Sequence, residues 1–171
     1  PVVCNDKYAK KNLKSLVVSG RCDISLDILE KLEGLRVLIL HGFRTSSLPE
    51  CFQKMLHLRY LDIFDNRNPP VLPQSLGKLY HLQVLALRNH ILFNLKTLED
   101  FLPKGINRLI SLRHLYAPTE GIAGIGTLTS LQELTLSVKK EKGFEIMQLR
   151  DMSQLTELYI WNLVNVESKE Q

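Results

Sequence analysis

Aliphatic residues recur along this chain at short, fixed spacings, with polar or mixed residues between them. Residues 58–79 form one such unit, which begins with the spacing LxxLxI and ends with a second apolar series. The first half suits a short strand, because successive side chains of a strand point to opposite faces. The second half suits an irregular return path. Neither half can bury its apolar face alone, so the pattern predicts that copies of the unit pack side by side.

The LxxLxL spacing occurs seven times in the sequence. Its first residues are Leu13, Leu35, Leu58, Leu82, Leu112, Leu131 and Leu155. Successive starts lie 22, 23, 24, 30, 19 and 24 residues apart, and most of these intervals fall in the window of roughly 20–29 residues that is typical of leucine-rich repeats. The asparagine that closes the usual repeat signature is present only at Asn66, so we expect irregular turns.

The repeats predict a single domain over residues 1–171, in which each unit contacts only its neighbours. The expected fold class is α/β: a right-handed, curved solenoid with a parallel sheet on its concave face. The convex face should be mostly irregular, with short helical turns. Leu-Pro pairs at 48–49, 72–73 and 102–103 mark the turn onto the convex side, since proline donates no backbone N–H and favours extended geometry in the residue before it.

The alternation of side chains also predicts the residues of the concave face. The leucines point into the core, and the positions between them face outward. Tyr, Trp and Arg are the residue types enriched at binding hot spots. The candidate protein-binding residues are therefore Arg36, Arg59, Tyr60, Phe64, Arg88, Arg113, Tyr116, Tyr159 and Trp161. Lateral packing between neighbouring strands is the alternative interpretation at each position.

The longest repeat provides a second candidate for recognition. Its extra residues fall at 90–101, and an insertion into a stack of repeats must loop out of it. Such loops are tolerated at little free-energy cost, so a plain surface excursion is the alternative. The sequence leaves open whether the concave face or this insertion carries specificity.

The formal net charge of +4 is divided unevenly along the chain. Residues 1–114 carry a net charge of +7, and residues 115–171 carry −3. The second position of four repeats is basic, which predicts a basic column of Lys14, Arg36, Arg59 and Arg113. Glu133 and Glu157 share the third position of the last two repeats. A dense basic stripe and a recognition motif for nucleic acid are both missing, so no nucleic-acid partner is expected.

Catalytic motifs are missing from the sequence. None of HExxH, GxSxG, GxxxxGK[ST] and GxGxxG occurs, and His57 and His81 occupy equivalent repeat positions, which favours a structural role. We therefore predict a non-enzymatic chain with no cofactor and no metal site. Three cysteines without a CxxC pair argue against a disulfide framework. No apolar run approaches the roughly 18 residues of a membrane span, so a cytoplasmic protein without a membrane partner is expected.

Several longer phrases carry a resemblance to a known family. They are LRVLIL, LPECFQKMLHLRYLDI, LPQSLGKLYHLQVLAL, LPKGINRLISLRHL, GIAGIGTLTSLQEL and YIWNLVNV. Together they resemble the leucine-rich repeat region of plant intracellular nucleotide-binding disease resistance proteins, most closely the coiled-coil class of grasses. The resemblance implies a fragment of a longer chain that lies in the cytoplasm, with the nucleus also possible.

The resemblance also implies a function. In that family the region restrains the nucleotide-binding module of the same chain and helps to recognise pathogen effectors or modified host proteins. The phosphate-binding loop lies outside this sequence, so the resemblance implies no cofactor-binding residue here. A general leucine-rich repeat scaffold that assembles signalling proteins is the alternative function.

Overall fold

The computed structural model describes residues 12–19, 29, 31–42, 48, 50–64, 71–88, 102–117, 124–137 and 149–161, with the backbone alone at 88, 136, 137 and 161. Seven strands lie within these ranges. They are β1 (Ser15–Ser19), β2 (Val37–His41), β3 (Tyr60–Phe64), β4 (Val84–Arg88), β5 (His114–Tyr116), β6 (Glu133–Ser137) and β7 (Glu157–Trp161). They form one parallel sheet in chain order, from β1 to β7.

The register of the sheet aligns the sequence repeats. The middle leucine of each LxxLxL unit pairs with that of the next, as Leu61 with Leu85 and Leu85 with Leu115. Equivalent positions of successive repeats therefore form columns that cross the sheet. The predicted repeat alignment and the parallel sheet are confirmed.

A regular backbone ladder forms where the chain enters each strand. The carbonyl of Arg36 accepts from the N–H groups of Arg59 at 2.8 Å and Tyr60 at 3.1 Å. The same double acceptance recurs at every step of the stack. The accepting carbonyls belong to Lys14, Arg36, Arg59, Gln83, Arg113 and Gln132. Because each buried donor must find a partner, this ladder aligns the second positions of the repeats one above another.

The leucines of the middle repeats form the core of the stack. Leu61, Leu85 and Leu134 are completely buried, as the alternation predicts. The terminal repeats are more open, since Leu16 is only partly buried and Leu158 is 40% exposed. A middle repeat has a neighbour on each side, and a terminal repeat of the described sheet lacks one. The burial of the middle leucine of a repeat therefore depends on where that repeat lies in the stack.

The return paths contain short 3₁₀ helices. These are Glu50–Lys54, Gln74–Lys78, Lys104–Arg108 and Ile125–Thr127. The second and third begin directly after Pro73 and Pro103, both of which are extended, while Pro49 lies outside the described residues. A 3₁₀ helix has three residues per turn, so an apolar residue at every third position stays on the core side. The predicted short helical turns are confirmed.

Two neighbouring return paths approach each other closely at a pair of glycines. A side chain built on Gly77 would place its Cβ 2.6 Å from the carbonyl oxygen of Gly105. The first helix precedes the predicted insertion at 90–101 along the chain and the second follows it, while the insertion itself lies outside the described residues. Strands β4 and β5 nevertheless keep the common register. The longest repeat is therefore accommodated without breaking the stack.

Candidate protein-binding face

The concave face is formed by the third, fifth and seventh positions of each repeat, which alternate with the buried leucines along the strands. Of the predicted binding residues, Tyr60, Phe64, Tyr116, Tyr159, Arg88 and Trp161 occupy these positions. Arg88 and Trp161 end strands β4 and β7, and only their backbone is described. The strands thus place Tyr60, Phe64, Tyr116 and Tyr159 on one surface.

In the first repeats, side chains of the concave face pack on one another. The rings of His41 and Phe64 meet edge to face, with centroids 5.3 Å apart, and Phe64 is partly buried. The Tyr60 hydroxyl donates to Asp62 Oδ2 at 3.3 Å. The His41–Phe64 contact crosses from β2 to β3, which is the lateral packing that the sequence left open as the alternative. The Tyr60 hydrogen bond lies within β3.

Two positions that the alternation places on the outer surface are buried. Asp62 is 6% exposed and Ala86 is fully covered. The two residues are paired in register across β3 and β4, and Ala86 is next paired with Tyr116. Short side chains on a sheet face are covered when their neighbours are long, and here Tyr60 and Tyr116 flank them. The prediction that both residues face solvent was wrong.

A ring pair and a carboxylate meet at the middle of the later repeats. The His114 and Tyr116 rings are nearly parallel, with centroids 6.1 Å apart. His114 Nδ1 lies 3.6 Å from Glu133 Oε2, a distance at which a protonated imidazole would form an ion pair. Tyr116 remains exposed beside them. His114 and Glu133 were not among the predicted binding residues. Both occupy the third position of their repeats, which the alternation of side chains assigns to the concave face, so the sequence could have indicated them.

The last strand adds an acidic and aromatic end to this face. Glu133 and Glu157 are paired in register across β6 and β7. The Tyr159 hydroxyl donates to Glu157 Oε2 at 2.9 Å, and the ring is exposed. This hydrogen bond, followed by the negative charge of Glu157, burial and the charge of Glu133, raises the pKa of Tyr159 above its ordinary value. Two glutamates and an exposed tyrosine therefore lie together at this end of the face.

The basic column borders the concave face at the entry to the strands. Arg36, Arg59 and Arg113 are exposed, and the backbone ladder places their positions in a single line. It also places Gln83 between Arg59 and Arg113. The column is therefore contiguous from Lys14 to Arg59 and interrupted before Arg113.

The described residues contain no group of three His, Cys, Asp or Glu side chains placed to hold a metal ion. Within the same described part of the chain, no helix is both long and apolar enough to cross a membrane. Cys51 is buried in the core.

Comparison with protein families gives a match over almost the whole chain. The model described as "Leucine-rich repeat region" matches residues 12–171. The chain belongs to this family. Two curated Arabidopsis thaliana proteins are similar to this leucine-rich repeat chain. Disease resistance RPP13-like protein 2 is 29% identical over 181 residues, covering 96% of the chain and 20% of the relative. RPP13-like protein 3 is 33% identical over 110 residues, covering 61% of the chain and 12% of the relative.

Solved structures support the same fold. The ectodomain of the Arabidopsis thaliana receptor kinase GASSHO1/SCHENGEN3 matches with a TM-score of 0.62 at 20% identity, over 91% of this chain and 19% of that one. An internalin of Listeria monocytogenes matches with a TM-score of 0.59 at 16% identity, over 91% of this chain and 49% of that one. The leucine-rich repeat chain is thus related to disease resistance proteins and spans about a fifth of the first relative.

Proposed function

We propose that this chain is the protein-recognition and autoregulatory domain of an intracellular plant immune receptor. In this proposal residues 1–171 form a single domain of a longer protein, which acts without catalysis and senses a pathogen effector or a modified host protein. The observation that carries it is the relation to disease resistance proteins over 96% of the chain. Leucine-rich repeat folds typically serve as protein-interaction scaffolds, and the exposed aromatic and charged residues of the concave face suit that role.

The two ends of the surface have different proposed partners. The basic column faces an acidic surface of the nucleotide-binding module of the same protein and holds the receptor inactive. The acidic and aromatic end, which includes Glu157 and Tyr159, binds the sensed protein. This division is supported by the exposure of Arg36, Arg59 and Arg113 and by the in-register pairing of the two glutamates.

The test reverses the charge of the basic column in the full-length receptor. An exposed ion pair contributes only about 0–1 kcal/mol, so Arg36, Arg59 and Arg113 are changed to Glu together. Signalling is then scored without pathogen, and constitutive signalling is the expected result. The control carries the same charge change at Lys31, Lys104 and Arg150, which are exposed away from the column. Quiet resting behaviour with a lost pathogen response would place the sensed partner on the basic column and overturn the clamp.

A general scaffold that assembles signalling proteins is the second candidate, and the fold serves it equally well. Sequencing the parent transcript upstream of Pro1 distinguishes the two functions. A nucleotide-binding module encoded there supports the receptor, and a free-standing gene supports the scaffold.

A further inference from the structure

Three large apolar side chains are exposed at the same position of three consecutive repeats. Leu56, Tyr80 and Ile110 each lie two residues before the first leucine of their repeat, and they are 41%, 46% and 59% exposed. We call these three residues the apolar row. A single exposed apolar residue is ordinary in a folded protein. A contiguous set that recurs at one structural position marks an interaction surface.

The row is confined to the third, fourth and fifth repeats. The equivalent residues of the second, sixth and seventh repeats are Glu33, Thr129 and Ser153. The repeat fold therefore does not require an apolar side chain at this position. Because β3, β4 and β5 are neighbours in the sheet, neighbouring repeats bring the three apolar residues together at the edge where the return paths lead into the strands.

Basic side chains flank the row on both sides. Each row residue follows a basic residue two positions earlier, at Lys54, Lys78 and Arg108, and all three of these are exposed. Three positions after the row come the exposed Arg59, the partly buried Gln83 and the exposed Arg113. The sixth and seventh repeats have Thr127 and Asp151 at the first of these positions, whereas the second repeat has the exposed Lys31. The basic flank therefore extends one repeat beyond the apolar row, and the two occur together only at the third, fourth and fifth repeats.

We infer that the apolar row and its basic flanks form a docking site for an acidic amphipathic segment of a partner protein. Apolar side chains of the segment cover Leu56, Tyr80 and Ile110, and its carboxylates face the flanking lysines and arginines. Charge complementarity selects this occupant over a second copy of the chain, because two such basic edges would repel one another. The inference rests on the protein-recognition role proposed above. It adds the apolar row, which shares Arg59 and Arg113 with the basic column, and it names the chemistry of the partner.

The test replaces the apolar row with the residue types that other repeats carry at this position. The variant is Leu56→Ser, Tyr80→Ser and Ile110→Thr in the natural full-length protein. Since none of the three side chains is buried in the core, the fold should be retained, which circular dichroism checks. The control variant carries Val17→Thr and Val71→Thr, two apolar residues outside the row that are 60% and 56% exposed.

The probe is a phage-displayed library of random 16-residue peptides, selected on the wild-type protein. We expect enriched peptides that combine Asp or Glu with large apolar residues. A synthetic copy of such a peptide should bind the row variant at least about tenfold more weakly, the equivalent of losing about 1.4 kcal/mol of binding free energy, and bind the control variant unchanged. Its affinity should fall as salt is added.

Several results would overturn the inference. These are no enrichment, enrichment of basic peptides, or equal binding to the row variant. Light scattering provides a further check, because a wild-type dimer that the row variant loses would assign the row to a second copy. If the charge-reversal variant does not signal constitutively but the wild-type protein binds the acidic peptide, the proposed receptor function is contradicted and the docking site is supported. If that variant signals constitutively but no acidic peptide binds, the docking site is contradicted and the receptor function is supported.

Discussion

The close approach of Gly77 to Gly105 makes a sharp prediction about stability. Alanine at Gly77 would bring its Cβ to 2.6 Å from the Gly105 carbonyl oxygen and to 3.0 and 3.1 Å from the Gly105 C and Cα atoms. All three are main-chain atoms, so they cannot rotate away as a side chain would. The two 3₁₀ helices must separate to accept the methyl group.

Gly105→Ala is the matched control. Its Cβ would meet Gly77 Cα at 3.5 Å, an ordinary van der Waals contact. Neither glycine has a left-handed φ, so neither substitution strains the backbone. Replacing glycine with alanine also restricts the unfolded chain, a gain of about 0.4–1 kcal/mol. That gain is common to both variants and cancels in their comparison.

The difference between the two variants therefore measures overpacking. Overpacking a close-packed interior costs about 1–3 kcal/mol, and the immovable contacts place Gly77→Ala in the upper part of that range. We expect Gly77→Ala to unfold about 2–3 kcal/mol more easily than Gly105→Ala. Urea unfolding followed by circular dichroism gives both free energies, with the denaturant slope checked for equality. Equal stabilities, or a less stable Gly105→Ala, would refute the inferred close approach.

Two further predictions concern a buried leucine and a surface tyrosine. Leu85→Ala should cost about 2–5 kcal/mol because the side chain is fully buried, whereas Leu158→Ala at the equivalent, 40% exposed position should cost less than about 2 kcal/mol. Urea unfolding measures both, and the opposite order would contradict the difference in burial between the middle and the end of the stack. Glu157→Gln removes the charge that raises the pKa of Tyr159, so in an NMR titration of the phenol this pKa should fall toward its ordinary value, while Glu50→Gln should leave it unchanged. A rise in the Glu157→Gln variant would contradict the assigned cause.

The repeat pattern could be predicted because it is a local property of the chain. Spacing and alternation alone indicate which leucines point inward, and Leu61, Leu85 and Leu134 are buried as expected. The Leu-Pro pairs likewise predict where the return paths begin, and two 3₁₀ helices do start directly after Pro73 and Pro103. These features depend on neighbours in sequence and on the chemistry of proline, so the sequence of a single repeat is enough to predict them.

The sizes of neighbouring side chains in space decided what the pattern left open. Alternation predicts an exposed Asp62 and Ala86, but both are buried. Asp62 accepts from Tyr60 of its own strand, and Ala86 is paired with Tyr116 of the next strand. The place of Gln83 in the basic column follows from the ladder between repeats. The LxxLxL spacing also could not predict that Leu56, Tyr80 and Ile110 are exposed, because these residues lie on the turn before the spacing begins. The sequence determines which way each strand residue points, whereas packing between repeats, up to 30 residues apart along the chain, determines which of them a partner can reach.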